Sequence, residues 1–169
     1  TNPCGEQPLP AYGACLLGSV NLARLVENPF SDAAGIDEDA LNELVATAVR
    51  MMDNVIDVSG FPLDAQRHEA QAKRRIGLGV TGLADALIMC GARYGGSHAV
   101  ALSERWLRRI ERSVYMVSVA LAREKGPFPL FDRDKFLESE TVQTLDADVK
   151  AAVSEHGIRN ALLSSIAPT

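Results

Sequence analysis

Two long stretches of the chain carry apolar residues at the spacing of one helix face, and they limit the fold more than any other feature. The first stretch covers residues 37–59 and the second covers residues 97–125. Apolar residues that recur every three or four positions line up on one side of an α-helix. The two sets are Leu41, Leu44, Val45, Ala48, Val49, Met52, Val55 and Ile56, and then Trp106, Ile110, Val114, Val117 and Leu121. We therefore predict two long helices that can bury these stripes against each other.

Local signals predict where these two helices begin and end. Acidic residues at positions 37–39 suit the positive end of the first helix dipole, and Gly60 stops that helix. Ser97 is expected to cap the second helix, and Gly126, which is followed by a proline, is expected to end it. Three shorter helices should follow the same rules. They are expected at 64–74, at 83–91, and at 146–156 between a capping Asp146 and a terminating Gly157.

The other segments predict strands and loops. A strand is expected at 74–82, and a second at 158–169, where it runs into a turn at Pro168. Residues 1–19 are rich in proline and glycine and predict an irregular loop, whereas 19–26 is too short to assign. Strands that are separated by helices usually pair in parallel. The fold class is therefore mainly α with a few short strands, an α/β arrangement in a single domain.

Composition excludes several classes of function. The net charge is −5 with no long run of one sign, which argues against nonspecific nucleic-acid binding. No apolar run approaches the roughly 20 residues that span a membrane. Three cysteines are an odd number that does not fit a disulfide scaffold, and they favour a reducing cytoplasm. His68, His98 and His156 lie far apart in sequence and have no metal-ligand spacing, so no zinc site is expected.

The opening "TNPCGEQPLPAYGAC" predicts a loop that carries an amide, a thiol and a carboxylate close together. Prolines and a glycine disfavour helix here, and in an extended chain alternate side chains point the same way. Asn2, Cys4 and Glu6 would then share one side. The plain alternative is a surface loop with a stray cysteine. A thiol beside a carboxylate makes a poor thiolate nucleophile, because negative charge raises the pKa of a thiol.

Two further patterns have structural interpretations. "GLGVTG" at 77–82 matches the dinucleotide-binding pattern G-x-G-x-x-G, but no well-formed strand precedes the first glycine. We expect instead a buried strand that a neighbouring backbone approaches closely. Cys90 ends a helix pattern beside Gly91, which favours a packed core cysteine.

Three sequence blocks resemble the ribonucleotide reductases. "NPCGEQPLPAYGACLLGSVNLA" resembles their active-site finger loop, most closely in the class II, adenosylcobalamin-dependent enzymes. "RRIGLGVTGLADAL" resembles a second block, with Thr81 where the family usually has methionine, and "RNALLSSIAPT" resembles the strand that leads to the substrate-phosphate turn. The resemblance implies a part of the family's ten-stranded α/β barrel. A chain that starts inside one motif and stops at the next also suggests a piece of a larger protein.

The resemblance implies a role for each matching residue. Cys4 would form the thiyl radical that removes the 3′-hydrogen of the ribose, and Glu6 would accept the 3′-hydroxyl proton. Asn2 would hold the substrate hydroxyl and the carboxylate in register. Cys15 would be one of two cysteines that end as a disulfide, its partner lying upstream of this chain. Thr169 would begin the turn that binds the substrate phosphates.

The resemblance also implies cofactors, partners and competing interpretations. The whole enzyme, which could be a homo-oligomer, would use adenosylcobalamin, a thioredoxin-type dithiol and a ribonucleoside di- or triphosphate. It would also bind deoxynucleotide effectors. We expect this chain alone to be inactive. One alternative is a class I large subunit, which takes its radical from a separate subunit. Others are a helical scaffold without chemistry, and a thiol-disulfide redox protein, which the lack of a C-x-x-C pair disfavours.

Overall fold

The computed structural model describes residue 2 and residues 4–166, and helices dominate it. The helices are α1 (Glu38–Val58), α2 (Asp64–Lys73), α3 (Leu83–Met89), α4 (Ser97–Lys125), α5 (Arg133–Glu138), α6 (Glu140–Gln143) and α7 (Ala147–His156). The strands of the described residues are β1 (Leu16–Asn21), β2 (Val26–Glu27), β3 (Gly35–Ile36) and β4 (Ile76–Thr81), with a 3₁₀ turn at Leu22–Leu25.

The two long predicted helices are confirmed as α1 and α4, which pack against each other. The buried members of their stripes are Leu41, Val45, Val49, Met52 and Ile56 of α1 and Trp106, Ile110, Val114 and Leu121 of α4. Leu44 lies at the edge of its stripe and is exposed, so the buried face of α1 is narrower than predicted. This helix pair supplies the core on which the strands rest.

The predicted helix caps are only partly confirmed. Asp37, which was predicted only as part of an acidic first turn, is the N-cap of α1, and its side chain accepts hydrogen bonds from the backbone N–H groups of Asp39 and Ala40 at 3.1 and 2.9 Å. The prediction for Ser97 is wrong, because Ser97 is already helical and Gly96 occupies the cap position in an extended conformation. Asp146 holds the predicted cap position of α7 but makes no cap hydrogen bond. Its carboxylate pairs with Arg112 of α4 instead, at 3.0 Å.

The longer sheet is a parallel pair, as predicted. β1 runs beside β4 in register from Leu16 opposite Ile76 to Asn21 opposite Thr81. β1 therefore includes residues 16–19, which were predicted as loop, because its partner β4 is distant in sequence and gives no local signal. β2 and β3 form a short antiparallel pair. Within the described residues each sheet has two strands, so no closed barrel forms.

The glycines of β4 serve close packing, as predicted. A Cβ atom on Gly79 would lie 2.5 Å from the carbonyl oxygen of Ser165. A Cβ atom on Gly77 would lie 2.6 Å from Cδ2 of Leu17 and 3.1 Å from Cβ of Ser165. Side chains at 77 and 79 would therefore push β1 and the segment around Ser165 away from β4.

The predicted strand at 158–169 is wrong for most of the described residues. Only an isolated parallel bridge joins Ser164 to Leu78 in this part of the chain. The N–H groups of Ile76 and Leu78 donate to the successive carbonyls of Leu162 and Leu163, at 3.0 and 2.9 Å. One side thus advances two residues while the other advances one, so the pairing is irregular here, although the N–H of Ser165 still donates to the carbonyl of Leu78 at 3.2 Å. Residues 167–169, including Pro168 and Thr169, lie outside the described residues.

Candidate active site

Asn2 and residues 4–7, which we call the opening turn, fold back on themselves. The N–H of Gly5 donates to the carbonyl of Asn2 at 2.9 Å, and the N–H of Asn2 donates to the carbonyl of Gln7 at 3.1 Å. Gly5 has a φ of +71°, a left-handed conformation that glycine adopts readily. The predicted extended chain with alternating faces is therefore wrong here, because the hydrogen bonds of a tight turn replace it.

The turn nevertheless brings the predicted residues together. A carboxylate oxygen of Glu6 accepts a hydrogen bond from the backbone N–H of Cys4 at 3.1 Å. The carboxylate thus curls back over the residue that carries the thiol. Cys4 is exposed, whereas Asn2 and Glu6 are half-buried. An amide, a thiol and a carboxylate therefore occupy one turn, with the thiol on its accessible side.

Cys15 lies at the start of β1 and is electrostatically linked to the opening turn. Its side chain is half-buried, and its thiol donates to the carbonyl of Leu16 at 3.7 Å. Burial raises the pKa of Cys15 to about 11; the positive charge of Arg75 opposes this rise and the carboxylate of Glu6 adds to it. The Cys15 thiol therefore stays protonated at neutral pH, and Glu6 lies near enough to influence it.

A cleft opens beside the turn and the segment that follows α7. It has a volume of about 590 Å³ and lies between the loop around Glu6 and Pro8, helices α4 and α5, and the chain at 161–164. Tyr115 and Phe128 supply part of its apolar wall, and Lys135 lies at its charged side. A carboxylate, an apolar wall and a cation border one space of small-molecule size.

A buried ionic cluster fixes the segment that follows α7, and sequence reasoning missed it. Asp53 of α1 is fully buried and accepts from Nε of Arg74 at 2.8 Å. Nε of Arg159 donates to the same carboxylate at 3.3 Å, and Nδ2 of Asn160 donates to it at 3.1 Å. Nζ of Lys125 lies 3.5 Å away. The cluster ties α1 to the start of β4, the end of α4 and the 158–160 segment.

The charge of Asp53 is strongly favoured in this cluster. Burial acts to raise its pKa, but the guanidinium groups of Arg74 and Arg159 outweigh burial and leave the pKa below its usual value. A signal for the cluster was present in the sequence. Asp53 follows Val49 by four residues and so falls on the apolar stripe of α1, where a carboxylate needs partners.

The third cysteine stands apart from this chemistry. Cys90 directly follows α3, is half-buried and packs against the core, as predicted, and burial raises its pKa. Among the described residues all three cysteines are free, so Cys15 and Cys90 do not form a disulfide. The residues that the structure describes contain no cluster of three or more potential metal ligands. No helix among them is both long and apolar enough to cross a membrane.

Comparison with known proteins decides which family this turn belongs to. The whole chain, residues 1–169, matches the family described as the ribonucleotide reductase barrel domain. The chain belongs to this family. The resemblance that its three sequence blocks indicated is therefore confirmed, and the helices and short strands described above are part of a ribonucleotide reductase barrel region.

Relatives of this barrel region include enzymes of two kinds. The vitamin B12-dependent ribonucleoside-diphosphate reductases of Mycobacterium tuberculosis and Thermoplasma acidophilum are 41% and 38% identical to it over 169 residues. These matches cover the whole chain and 21% and 20% of the relatives. The ribonucleoside-diphosphate reductase subunit alpha of Chlamydia muridarum is 34% identical, over 92% of the chain and 16% of the relative. The chain thus spans about a fifth of the length of the B12-dependent relatives.

Proposed function

We propose that this chain is the part of a vitamin B12-dependent ribonucleotide reductase that carries its radical cysteine. The observation that supports this most directly is the opening turn, where the Glu6 carboxylate binds the backbone of Cys4 and also lies near Cys15. One carboxylate thus binds the backbone of one cysteine that the resemblance assigns to the reaction and acts electrostatically on the other. The names of the B12-dependent relatives support the choice of cofactor.

In the proposed reaction the residues of the turn act on the ribose. When bound, adenosylcobalamin would supply the radical that removes the hydrogen atom of the Cys4 thiol. The exposed position of Cys4 fits a group that approaches from outside this chain. The sulfur radical of Cys4 then takes the 3′-hydrogen and Glu6 accepts the 3′-hydroxyl proton, while the 2′-hydroxyl gains one proton from the cysteine pair that includes Cys15 and leaves as water. Cys4 finally returns the hydrogen atom to C3′ and becomes a radical again. Asn2 holds the substrate hydroxyl against the carboxylate.

Cys15 supplies reducing equivalents in this proposal. Together with a second cysteine outside this chain, it gives up two electrons and two protons and becomes a disulfide. The high pKa of its thiol suits this role, because a protonated thiol carries the hydrogen that the product needs. A thioredoxin-type dithiol would then reduce the disulfide, in a cytoplasmic compartment that keeps the cysteines free. Thr169 would begin the phosphate turn; it lies outside the described residues.

The experiment that tests this proposal uses the full-length protein that contains this chain. It is incubated with a dithiol and each ribonucleoside di- or triphosphate, with and without adenosylcobalamin, and deoxyribonucleotide is measured by chromatography. We expect product only with the cofactor. Product that instead requires a separate metal-containing subunit would identify a class I large subunit. The similarity to the Chlamydia subunit alpha supports this alternative.

Two cysteine variants separate the reductase from a scaffold that kept the motif. Cys15 and Cys90 are both half-buried thiols with a raised pKa, but only Cys15 lies near Glu6. We expect Cys15→Ser to stop multiple turnover and Cys90→Ser to retain it. Equal activity in both variants would contradict the role of Cys15. The chain of residues 1–169 alone should form no deoxyribonucleotide.

A further inference from the structure

Gln7 closes the opening turn, although no role has been assigned to it. Its carbonyl accepts the hydrogen bond from the N–H of Asn2 at 3.1 Å, so it joins the two ends of the turn that carries Cys4 and Glu6. Its neighbours along the turn are exposed or half-buried, but Gln7 itself is only 3% exposed. The turn is therefore anchored to the body of the protein at this residue.

The side chain of Gln7 packs over the glycine of β4. Its Nε2 atom lies 3.4 Å from the position that a Cβ atom on Gly77 would occupy. The missing side chain at position 77 thus leaves a space that the Gln7 amide borders, together with Cδ2 of Leu17 and Cβ of Ser165, which lie closer, at 2.6 and 3.1 Å. Gly77 belongs to the second family block and Gln7 to the first, so this contact joins two motifs that lie about 70 residues apart.

The hydrogen bonding of this amide shows what kind of contact it makes. The Oε1 atom of Gln7 is buried and has no hydrogen-bond partner among the described residues. A buried oxygen without a donor costs stability, so Gln7 does not hold the turn through this atom. The backbone hydrogen bond and the packing of the side chain near Gly77 are the contacts that the structure shows for Gln7.

We propose that Gln7 is a positioning residue that holds Cys4 and Glu6 in place by wedging its side chain against β4 at Gly77. The proposal deepens the proposed function and rests on it for the identity of the reaction. It predicts that side-chain length at position 7 matters and that the polarity of the amide oxygen does not.

Two substitutions separate length from polarity. Gln7→Met keeps the length and removes the amide, whereas Gln7→Asn keeps the amide and is one methylene shorter. In the full-length protein we expect Gln7→Met to stay within about twofold of the wild-type kcat, because volume-conserving exchanges are well tolerated. We expect Gln7→Asn to lower kcat by about tenfold to a hundredfold with a smaller change in KM, because misplaced reacting groups slow the chemical step.

A second readout reports the position of the turn without any turnover. Alkylation of Cys15 by iodoacetamide is followed by mass spectrometry across a range of pH, and the midpoint gives the pKa of its thiol. Because the Glu6 carboxylate adds to the rise that burial causes, release of the turn should remove the Glu6 contribution and lower this pKa from about 11. We expect that shift in Gln7→Asn and no shift in Gln7→Met.

Gln66 provides a matched control. It lies on α2, and its Oε1 atom is also buried without a partner among the described residues. Gln66→Asn should change neither kcat nor the Cys15 titration. A loss of kcat in Gln7→Met as large as in Gln7→Asn would overturn the proposal, as would an unshifted Cys15 titration in Gln7→Asn. If Gln7→Asn does not fold, Gln7→Leu, which has about the same reach as asparagine without a buried amide, replaces it in the same two measurements.

Failure of this proposal is distinguishable from failure of the proposed function. If the wild-type protein reduces no ribonucleotide, the assigned reaction is wrong, and the Cys15 titration still shows whether Gln7 holds the turn. If the wild-type protein is active but Cys15 titrates in Gln7→Asn as it does in the wild type, the reaction stands and the proposed role of Gln7 is wrong.

Discussion

The opening turn and the cluster around Asp53 are both polar, but the protein holds them in opposite ways. Cys4 is exposed, and the turn around it depends on short-range hydrogen bonds to Asn2 and Glu6. Asp53 is fully buried, and its carboxylate oxygens bind Arg74 and groups from the other end of the chain. The reactive thiol of the turn stays accessible, whereas the hydrogen-bonding capacity of the cluster is satisfied within the protein.

This difference teaches which region serves chemistry and which serves the scaffold. A thiol and a carboxylate that are to meet a ligand cannot have all their bonding capacity satisfied within the protein. A buried carboxylate, by contrast, is tolerated only when its partners are in place. We therefore expect substitutions of Cys4 and Glu6 to change activity without changing stability, and substitutions in the cluster to do the reverse.

The largest effect should come from Cys4→Ser in the full-length protein. An alcohol O–H is much harder to convert to a radical than a thiol S–H, so the hydrogen-abstraction step should fail. We expect deoxyribonucleotide formation to fall by about a thousandfold or more, equivalent to roughly 4 kcal/mol in the barrier. The urea midpoint of the 169-residue chain should stay unchanged. A large drop in that midpoint would break the contrast, because it would show the turn to be part of the scaffold.

Asp53→Ala should have the largest effect on stability. The substitution leaves the buried guanidinium of Arg74 without its buried carboxylate partner, and breaking a buried pair costs about 3–5 kcal/mol. Urea unfolding of the chain, followed by helical circular dichroism, measures the loss. Asp57→Ala is the control, because Asp57 binds the same Arg74 at 2.7 Å from a half-exposed position. Equal losses of stability in the two variants would show that the burial of Asp53 does not determine the cost of removing it.

The same cluster predicts a dependence on acid. Asp53 has a pKa below its usual value in the folded chain, so its contribution is present above the unfolded value of about 4 and is lost as the pH falls further. We expect the urea midpoint of the wild-type chain to fall more steeply between pH 5 and 2, as a rough range, than that of Asp53→Asn. Parallel curves would assign the acid sensitivity to other carboxylates.

The Cys15 thiol should show a smaller effect that reports on the opening turn. A pKa of about 11 in place of 9.0 leaves about a hundredfold less thiolate near pH 8, so alkylation should be slower than for an unperturbed cysteine by about that factor. Glu6→Gln should speed the reaction and Glu43→Gln, on the exposed side of α1, should not. Because the thiol pKa is raised on folding, this thiol stabilises the fold below about pH 9, and the contribution is lost as the pH rises through 11.

The smallest effect should come from an exposed ion pair between helices α1 and α4. Arg50 of α1 and Glu124 of α4 form a two-point contact at 2.6 and 2.9 Å, with about half of each side chain exposed. Solvent screens such pairs, so we expect no change in the urea midpoint for Arg50→Ala beyond replicate scatter. A loss similar to that of Asp53→Ala would show that the helix contact depends on surface charge.

Much of this protein could be predicted from local patterns. The stripes of α1 and α4 predicted both helices, because apolar spacing and helix geometry share one period that any short window reveals. Asp37 and Gly157 indicated where α1 begins and where α7 ends, because these signals also lie within a short stretch of sequence. The motif around Cys4 and Glu6 indicated the family, since a rare combination of residues carries that information without any knowledge of contacts.

The tertiary structure alone decided how distant residues meet. β1 is a strand because β4 lies beside it, and the 158–166 segment departs from a strand because its pairing with β4 slips. The Asp53 carboxylate accepts hydrogen bonds from Arg159 and Asn160, which lie more than 100 residues away in sequence. Gln7 rests on Gly77 in a space that only the folded sheet creates. Local sequence determines the periodic elements and the reactive groups, whereas pairing across long separations depends on which surfaces the whole chain can bury together.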